Sequence, residues 1–351
     1  MRTKIYVMTH KRFEPPQDPV YVPVQVGRAL GSELGYLGDD TGDTISDQNP
    51  YYGELTGLYW LWKNVQEIDL IGICHYRRYF LNEAYELLTQ EEYERALADA
   101  DIMVPRAMRA DGVYRDYFGS AHHVEDLLEA GAVIKELYPK DYPAFCEVME
   151  ESEYYYGNLC VTTKKLFDEY CAWLFSIFFV LKDRVDVSGY DAYHQRLFGF
   201  LSESLLRVFI RARKLRVCET RVGVTAEKAE TTEFKLAMGQ LVKMGEFSQA
   251  REMFYQYLKI RPDITLELSD VRKEIPDIEL ILYILEQEKE CGGQGFYEVS
   301  HQLSDLIVHL RRIREIVQKE SDGQALTQED ADYLRMKQVS ESVKEVIRAN
   351  L

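Results

Sequence analysis

Leu70-Ile71-Gly72-Ile73-Cys74-His75-Tyr76-Arg77-Arg78-Tyr79-Phe80 is the stretch on which the fold reading turns. An apolar strand here runs directly into imidazole and guanidinium groups, so basic side chains stand at a strand's C-terminal end. In α/β proteins that is where ligands sit. Two adjacent arginines suit a phosphate-bearing ligand, because guanidinium binds phosphate oxygens bidentately and keeps its charge. Neighbours on an extended chain alternate faces, so one of Arg77 and Arg78 is expected to point at the ligand.

Working outward, residues 53–65 have helical spacing, with Leu55, Leu58, Tyr59, Trp62 and Val65 on one face. Residues 4–8 read as a buried first strand, and a second is expected at 20–26 after the turn at Pro15, Pro16 and Pro19. Further on, the pattern predicts a helix over 83–100, a strand over 102–105, and helices over 123–137 and 141–150. A strand is expected at 158–162, helices at 164–184 and 191–211, and a closing strand at 216–222. Such alternation over residues 1–225 indicates an α/β domain, a mostly parallel sheet flanked by helices.

From Ala226 to Leu351 the periodicity becomes helical and strand signals vanish, predicting an all-α C-terminal region. Within about 234–262, Gly245, Ala250, Phe254 and Pro262 fall at the spacing of the second half of a tetratricopeptide repeat. A stable array needs about three copies and one is found. The segment therefore reads as a helical hairpin, with a groove for a protein partner as the alternative.

Composition narrows the class. The net charge of −17 argues against a nucleic-acid partner, because phosphate binding needs basic surface. Cys74, Cys146, Cys160, Cys171, Cys218 and Cys291 are scattered without a C-x-x-C pair, as in a cytosolic protein with reduced thiols. Met1–Val7 enters a strand at once, and the longest apolar run, Trp173–Leu181, is too short to span a membrane. These features predict a cytoplasmic protein, at most peripheral at the inner face of the plasma membrane.

Lys4-Ile5-Tyr6-Val7-Met8-Thr9-His10-Lys11, the block from Asp39 to Asn64, Gly72–Phe80 and the helix over 191–209 together resemble one bacterial family. It is a domain-of-unknown-function family from capsule and exopolysaccharide gene clusters, related to glycosyltransferases of the GT-A type. The resemblance covers residues 1 to about 225. It implies a GT-A-like domain moving a hexose from a nucleotide diphosphate, expected to be UDP-linked, to a surface polysaccharide or another glycan, lipid-linked or free. Some relatives are associated with galactofuranose transfer.

Most GT-A enzymes end a strand in Asp-x-Asp to hold a divalent ion; here that strand end carries His75, Arg77 and Arg78 and no carboxylate. Negative charge builds on a departing diphosphate, and Arg77 or Arg78 would neutralise it without metal, so no cofactor is expected. The alternative for each arginine is an ion pair with a carboxylate such as Glu54, itself a candidate for binding the donor. Asp39, Asp40 and Asp43, with Gly38 and Gly42, form the main carboxylate cluster. They are candidates for donor hydroxyls or, failing the arginines, for manganese or magnesium; a capping turn is the other reading. The resemblance also places Thr9, His10 and Lys11, after the first strand, at the nucleotide.

Asp191 reads as a helix N-cap and as the candidate general base toward an acceptor hydroxyl. Glu203 is expected in the same helix, at the acceptor or paired with Arg207. His122 and His123 are candidates to line the acceptor site; without a third ligand, zinc finds no support. Arg207, Arg211, Arg213, Lys214 and Arg216 form a basic patch, either for anionic lipid headgroups or simply a solvated helix end. Against the transferase stands an interaction protein whose α/β domain is a non-catalytic scaffold. The unusual polar residues gather in 9–80 and 190–203, not in the helical region, and favour the enzyme. No Gly-x-x-x-x-Gly-Lys or Gly-x-Gly-x-x-Gly loop supports phosphoryl transfer or NAD chemistry.

Overall fold

The computed structural model describes residues 1–261, 264, 269–293 and 295–351. They form two compact units, Met1–Thr225 and Ala226–Leu351. In the first, the strands are β1 (Thr3–Thr9), β2 (Tyr21–Gln25), β3 (Leu37–Gly38), β4 (Leu70–His75), β5 (Arg78–Phe80) and β6 (Ile102–Pro105). They continue with β7 (Met108–Arg109), β8 (Glu153–Tyr154), β9 (Cys160–Thr163), β10 (Val217–Thr220) and β11 (Val222–Val224). Nine of these build one sheet with main order β10-β6-β9-β4-β1-β2-β3, while β7 and β8 pair separately. The longest pairings are parallel, β1 with β2 and β4, and so are those of β2 with β3 and β6 with β10. β9 is antiparallel to β4 and β6, and β5 is antiparallel to β4 and β11.

Alternation along β1 explains why the sheet is covered on both sides. Tyr6 and Met8 join a core with the helices α2 (Leu55–Asn64), α5 (Val124–Leu137), α6 (Tyr142–Glu150), α7 (Lys164–Lys182) and α8 (Leu197–Arg213). Ile5 and Val7 face the other way, into a second core with Tyr21, Phe80 and Tyr93 of α3 (Gln90–Ala96). The remaining helices of this unit are α1 (Asn49–Tyr52) and α4 (Tyr114–Ala121).

Three elements are shorter than their sequence pattern. The helix expected over 83–100 starts only at Gln90. Asn82 Oδ1 accepts from the amides of Ala84 and Glu86, and Thr89 with Glu92 forms a capping box. These local bonds hold residues 82–89 out of the helix. The helix expected from Asp191 begins at Leu197, after a 3₁₀ turn over His194–Arg196. The strand expected from Asn158 begins at Cys160, because Gly157 (φ 91) and Asn158 (φ 53) are left-handed. α4 and the short strands β5 and β11 are additions.

Ala226–Leu351 contains, among the described residues, α9 (Ala229–Met244), α10 (Phe247–Ile260), α11 (Ile275–Glu290), α12 (Gly295–Val299), α13 (Leu303–Ser321), α14 (Gln328–Met336) and α15 (Glu341–Arg348), and no strand. Its own core runs from Phe234 to Ile347. Gly245 (φ 75) ends α9 in the left-handed region, while Ala250 and Phe254 are buried along α10. Pro262, the last residue of the repeat-like pattern, lies outside the described residues. No described helix is long and apolar enough to cross a membrane.

Candidate active site

The chain leaves β1 toward β2 on one side and returns as β4 on the other; at such a reversal of strand order, open α/β sheets take ligands in a crevice beyond the C-terminal ends of the strands. Thr9 closes one strand and His75 the other. The Tyr76 amide donates to Met8 O (3.0 Å), the Tyr76 ring meets His10 edge-on at 5.5 Å, and Lys11 Nζ lies 4.9 Å from it. Thr9 Oγ1 is spent locally: it donates to Lys11 O and accepts from the Lys11 amide.

After His75 the chain does not continue extended. Tyr76 and Arg77 make a two-residue turn, and Arg78 folds back to pair with His75. The extended chain expected here gives way to a hairpin in which each arginine is only 6% exposed. Arg78 Nη2 donates to Tyr156 Oη (3.1 Å), and its guanidinium lies 4.5 Å over that ring. Its buried Nε has no hydrogen-bond partner among the described residues.

Glu54, at the start of α2, sits beside this hairpin. Its Oε1 accepts from Asn158 Nδ2 (2.8 Å) and lies 4.0 Å from His75 Nε2, while Oε2 lies 3.6 Å from Arg196 Nη2. Glu54 meets His75, Asn158 and Arg196, while Arg78, which was expected to pair with it, donates to Tyr156. Burial pushes its carboxyl up, but His75, Arg196 and Asn158 outweigh that and hold it below the usual range. Burial drives His75 down to about 4, with Arg78, Arg77 and Arg196 adding to the effect and Glu54 opposing it. His75 is thus a neutral imidazole near neutral pH, and its Nε2 has no hydrogen-bond partner among the described residues.

Glu203 enters the same cluster from α8. Its Oε1 accepts from the Gly157 amide (2.8 Å). Burial and then the Glu54 charge push its carboxyl up to about 8, against the pull of Gly157, Arg78 and Arg196. The expected pairing with Arg207 is not made, because Arg207 instead donates to Glu151 (2.7 Å) and Glu153 (3.0 Å). Asn158, which accepts from Ser202 Oγ and donates to Gly199 O, ties Glu54 to α8. Arg196, Asn158 and Tyr156 are site residues that the sequence reading missed. The run Tyr154-Tyr155-Tyr156-Gly157-Asn158, with a Gly-Asn pair just before a strand, is the signal that marks two of them.

The aspartate cluster has a different role. Asp39 is fully buried, and its carboxylate accepts from the amides of Gly27 and Arg28 and from the hydroxyls of Ser46 and Thr56. Asp40 accepts from Arg28 Nε (2.6 Å) and Asp43 from Tyr59 Oη (2.9 Å). Among the described residues no group of three His, Cys, Asp or Glu side chains could hold a metal ion. The oxygens of Asp39, Asp40 and Asp43 are turned to separate protein donors.

Asp191 caps the turn before α8. Oδ1 accepts from the amides of Tyr193 (2.8 Å) and His194 (3.1 Å), and Oδ2 contacts His194 Nδ1 at 2.6 Å. Partial burial raises its carboxyl, but His194 and the two amides prevail and hold it low. That suits capping and makes it a weak proton acceptor. Nearby, His122 stacks on Phe200 (4.2 Å) and His123 on Tyr190 (4.1 Å). The basic patch is largely paired: Arg207 as above, Arg211 with Glu147 and Glu151, Arg213 with Asp141 and Glu169, and Arg216 with Asp101. Lys214 is the left-handed residue that ends α8.

A solved structure described as the apo form of WbbM, a bifunctional glycosyltransferase, is similar to this chain at 31% identity and a TM-score of 0.61. The likeness covers 65% of this chain and 46% of the other, so this chain spans less than half of that protein's length. No curated protein matches. A family model described as a domain of unknown function (DUF4422) matches residues 4–214. Those residues contain all of β1 but Thr3, every strand from β2 to β9 and the whole cluster around Glu54, and by them the chain belongs to the DUF4422 family.

Proposed function

We propose that this chain is a glycosyltransferase that moves a hexose from a UDP-linked donor to a glycan acceptor in the crevice beyond β1 and β4. The observation that carries the reading is the buried pair Arg77 and Arg78 at that strand end, in a domain like that of a glycosyltransferase. Charge grows on the diphosphate as the bond to the sugar breaks, and fixed cations in a site of low polarity stabilise it strongly. Arg78, anchored on Tyr156, is pre-positioned for this role. Neutral His75 offers a hydrogen bond to the donor from its unpartnered Nε2, and anionic Glu54 holds Arg196 beside it. The reaction proposed needs no divalent ion, so a chelator leaves turnover unchanged.

A thermal-shift screen tests this directly, since a ligand that binds the native state raises the melting temperature. UDP and one UDP-hexose are expected to raise it. Arg78→Met keeps much of the side chain and removes the charge. A charge-assisted contact is worth about 1.5–3 kcal/mol, so donor affinity is expected to fall roughly ten- to a hundredfold. Stabilisation by adenine or guanine nucleotides without any by UDP would overturn the reading.

A further inference from the structure

We infer that Glu203, rather than Asp191, is the group that takes the proton from the attacking hydroxyl, with Glu54 as the fixed anion beside it. The inference rests on the transferase reading above and adds a residue role to it. The two carboxylates differ in their protein contacts. Asp191 accepts at both oxygens, from two amides and His194. Glu203 has one hydrogen bond, at Oε1 from the Gly157 amide; Oε2 has no partner among the described residues and is not among the buried, unsatisfied atoms. That oxygen is available to an incoming hydroxyl.

The charged neighbours poise it. Glu54 at the start of α2 raises its proton affinity, while Arg78 on β5 and Arg196 ahead of α8 lower it. The phenols of Tyr114 and Tyr117 on α4 and of Tyr154 on β8 feel its charge and stay neutral themselves. His75 on β4 is neutral. A base serves best when its proton affinity lies near the working pH, and at about 8 Glu203 is ionised in about one molecule in ten at pH 7. In the step, the hydroxyl proton passes to Glu203 Oε2 and the hydroxyl oxygen bonds the anomeric carbon. The bond from that carbon to the diphosphate oxygen breaks, and its electron pair leaves on the diphosphate beside Arg78.

Water can stand in for the acceptor, so hydrolysis of the UDP-hexose giving the largest melting shift is the assay. Wild-type rate should rise with pH to a plateau above about 8. Glu203→Gln should cut the rate about a hundredfold or more and abolish that rise, with the donor-induced melting shift retained. Glu54→Gln removes the neighbouring anion and should move the rise to lower pH. Carbon-13 NMR of glutamate-labelled protein should show one carboxyl titrating near 8, absent from Glu203→Gln. Retained turnover and pH profile in Glu203→Gln, or no glutamate titrating above the ordinary range, would sink this assignment alone. Donors that shift the melting point of neither protein and are never hydrolysed would sink the transferase reading and this role with it.

Discussion

His75 and Glu203 are displaced in opposite senses, and each leaves its own mark on stability. Folding favours neutral His75, with a pKa near 4 against 6.5. Its contribution is present above pH 6.5 and is lost as pH falls through 4. Folding also favours neutral Glu203, at about 8 against 4.5; that contribution is complete below pH 4.5 and is lost as pH rises through 8. Glu203→Gln is therefore expected to unfold at the same temperature as wild type at low pH and at a higher one above pH 8. Between the two the gap widens by at most about 1.4 kcal/mol per pH unit. Calorimetry across that range checks it, and a gap independent of pH would refute it. His75, Arg77 and Arg78 are legible in sequence because a strand leads straight to them. Arg196 and Asn158 are not: Asn158 meets Glu54 across 104 positions, and no local spacing reports such a contact. Asp39 shows the converse, since a carboxylate in a Gly-rich loop looks the same in sequence whether it awaits a ligand or binds its own backbone.

At the scale of elements, α2 matters because it carries Glu54 at its start and lies tight on the sheet. Gly57 makes that approach possible: a Cβ there would stand 2.6 Å from Met8 Sδ and 2.8 Å from Val26 Cγ1. Gly57→Ala forces one of these neighbours or the helix to shift, and overpacking of this kind costs about 1–3 kcal/mol. A lower urea midpoint with an unchanged m-value is the expected result; an unchanged midpoint would show that Met8 yields freely. Strands β1, β2, β4 and β6 were legible from their apolar runs. Helix starts were not, where Asn82, Thr89 and Asp191 bond nearby amides and delay the helix in ways that periodicity does not register.

For the whole molecule, the alternation of strands and helices over the first unit specified an α/β layered fold, and the helical periodicity after it an all-α region. The antiparallel insertion of β9 and the hairpin β4–β5 escaped, because strand direction depends on which edges meet and not on composition. Charge is the other global property. The ion pairs of Arg207, Arg211, Arg213 and Arg216 are internal to the protein, and the chain as a whole still carries −17. The nucleotide diphosphate proposed as donor would have to diffuse toward the strand ends against that repulsion, feeling Arg77 and Arg78 only on arrival. Dissolved ions shorten the reach of the field from about 30 Å at 0.01 M to about 8 Å at 0.15 M. Stopped-flow measurements should therefore find that salt speeds the encounter with UDP, opposite in sign to electrostatically steered enzymes. An encounter that slows with salt would mean that the two buried arginines govern the approach from a distance as well.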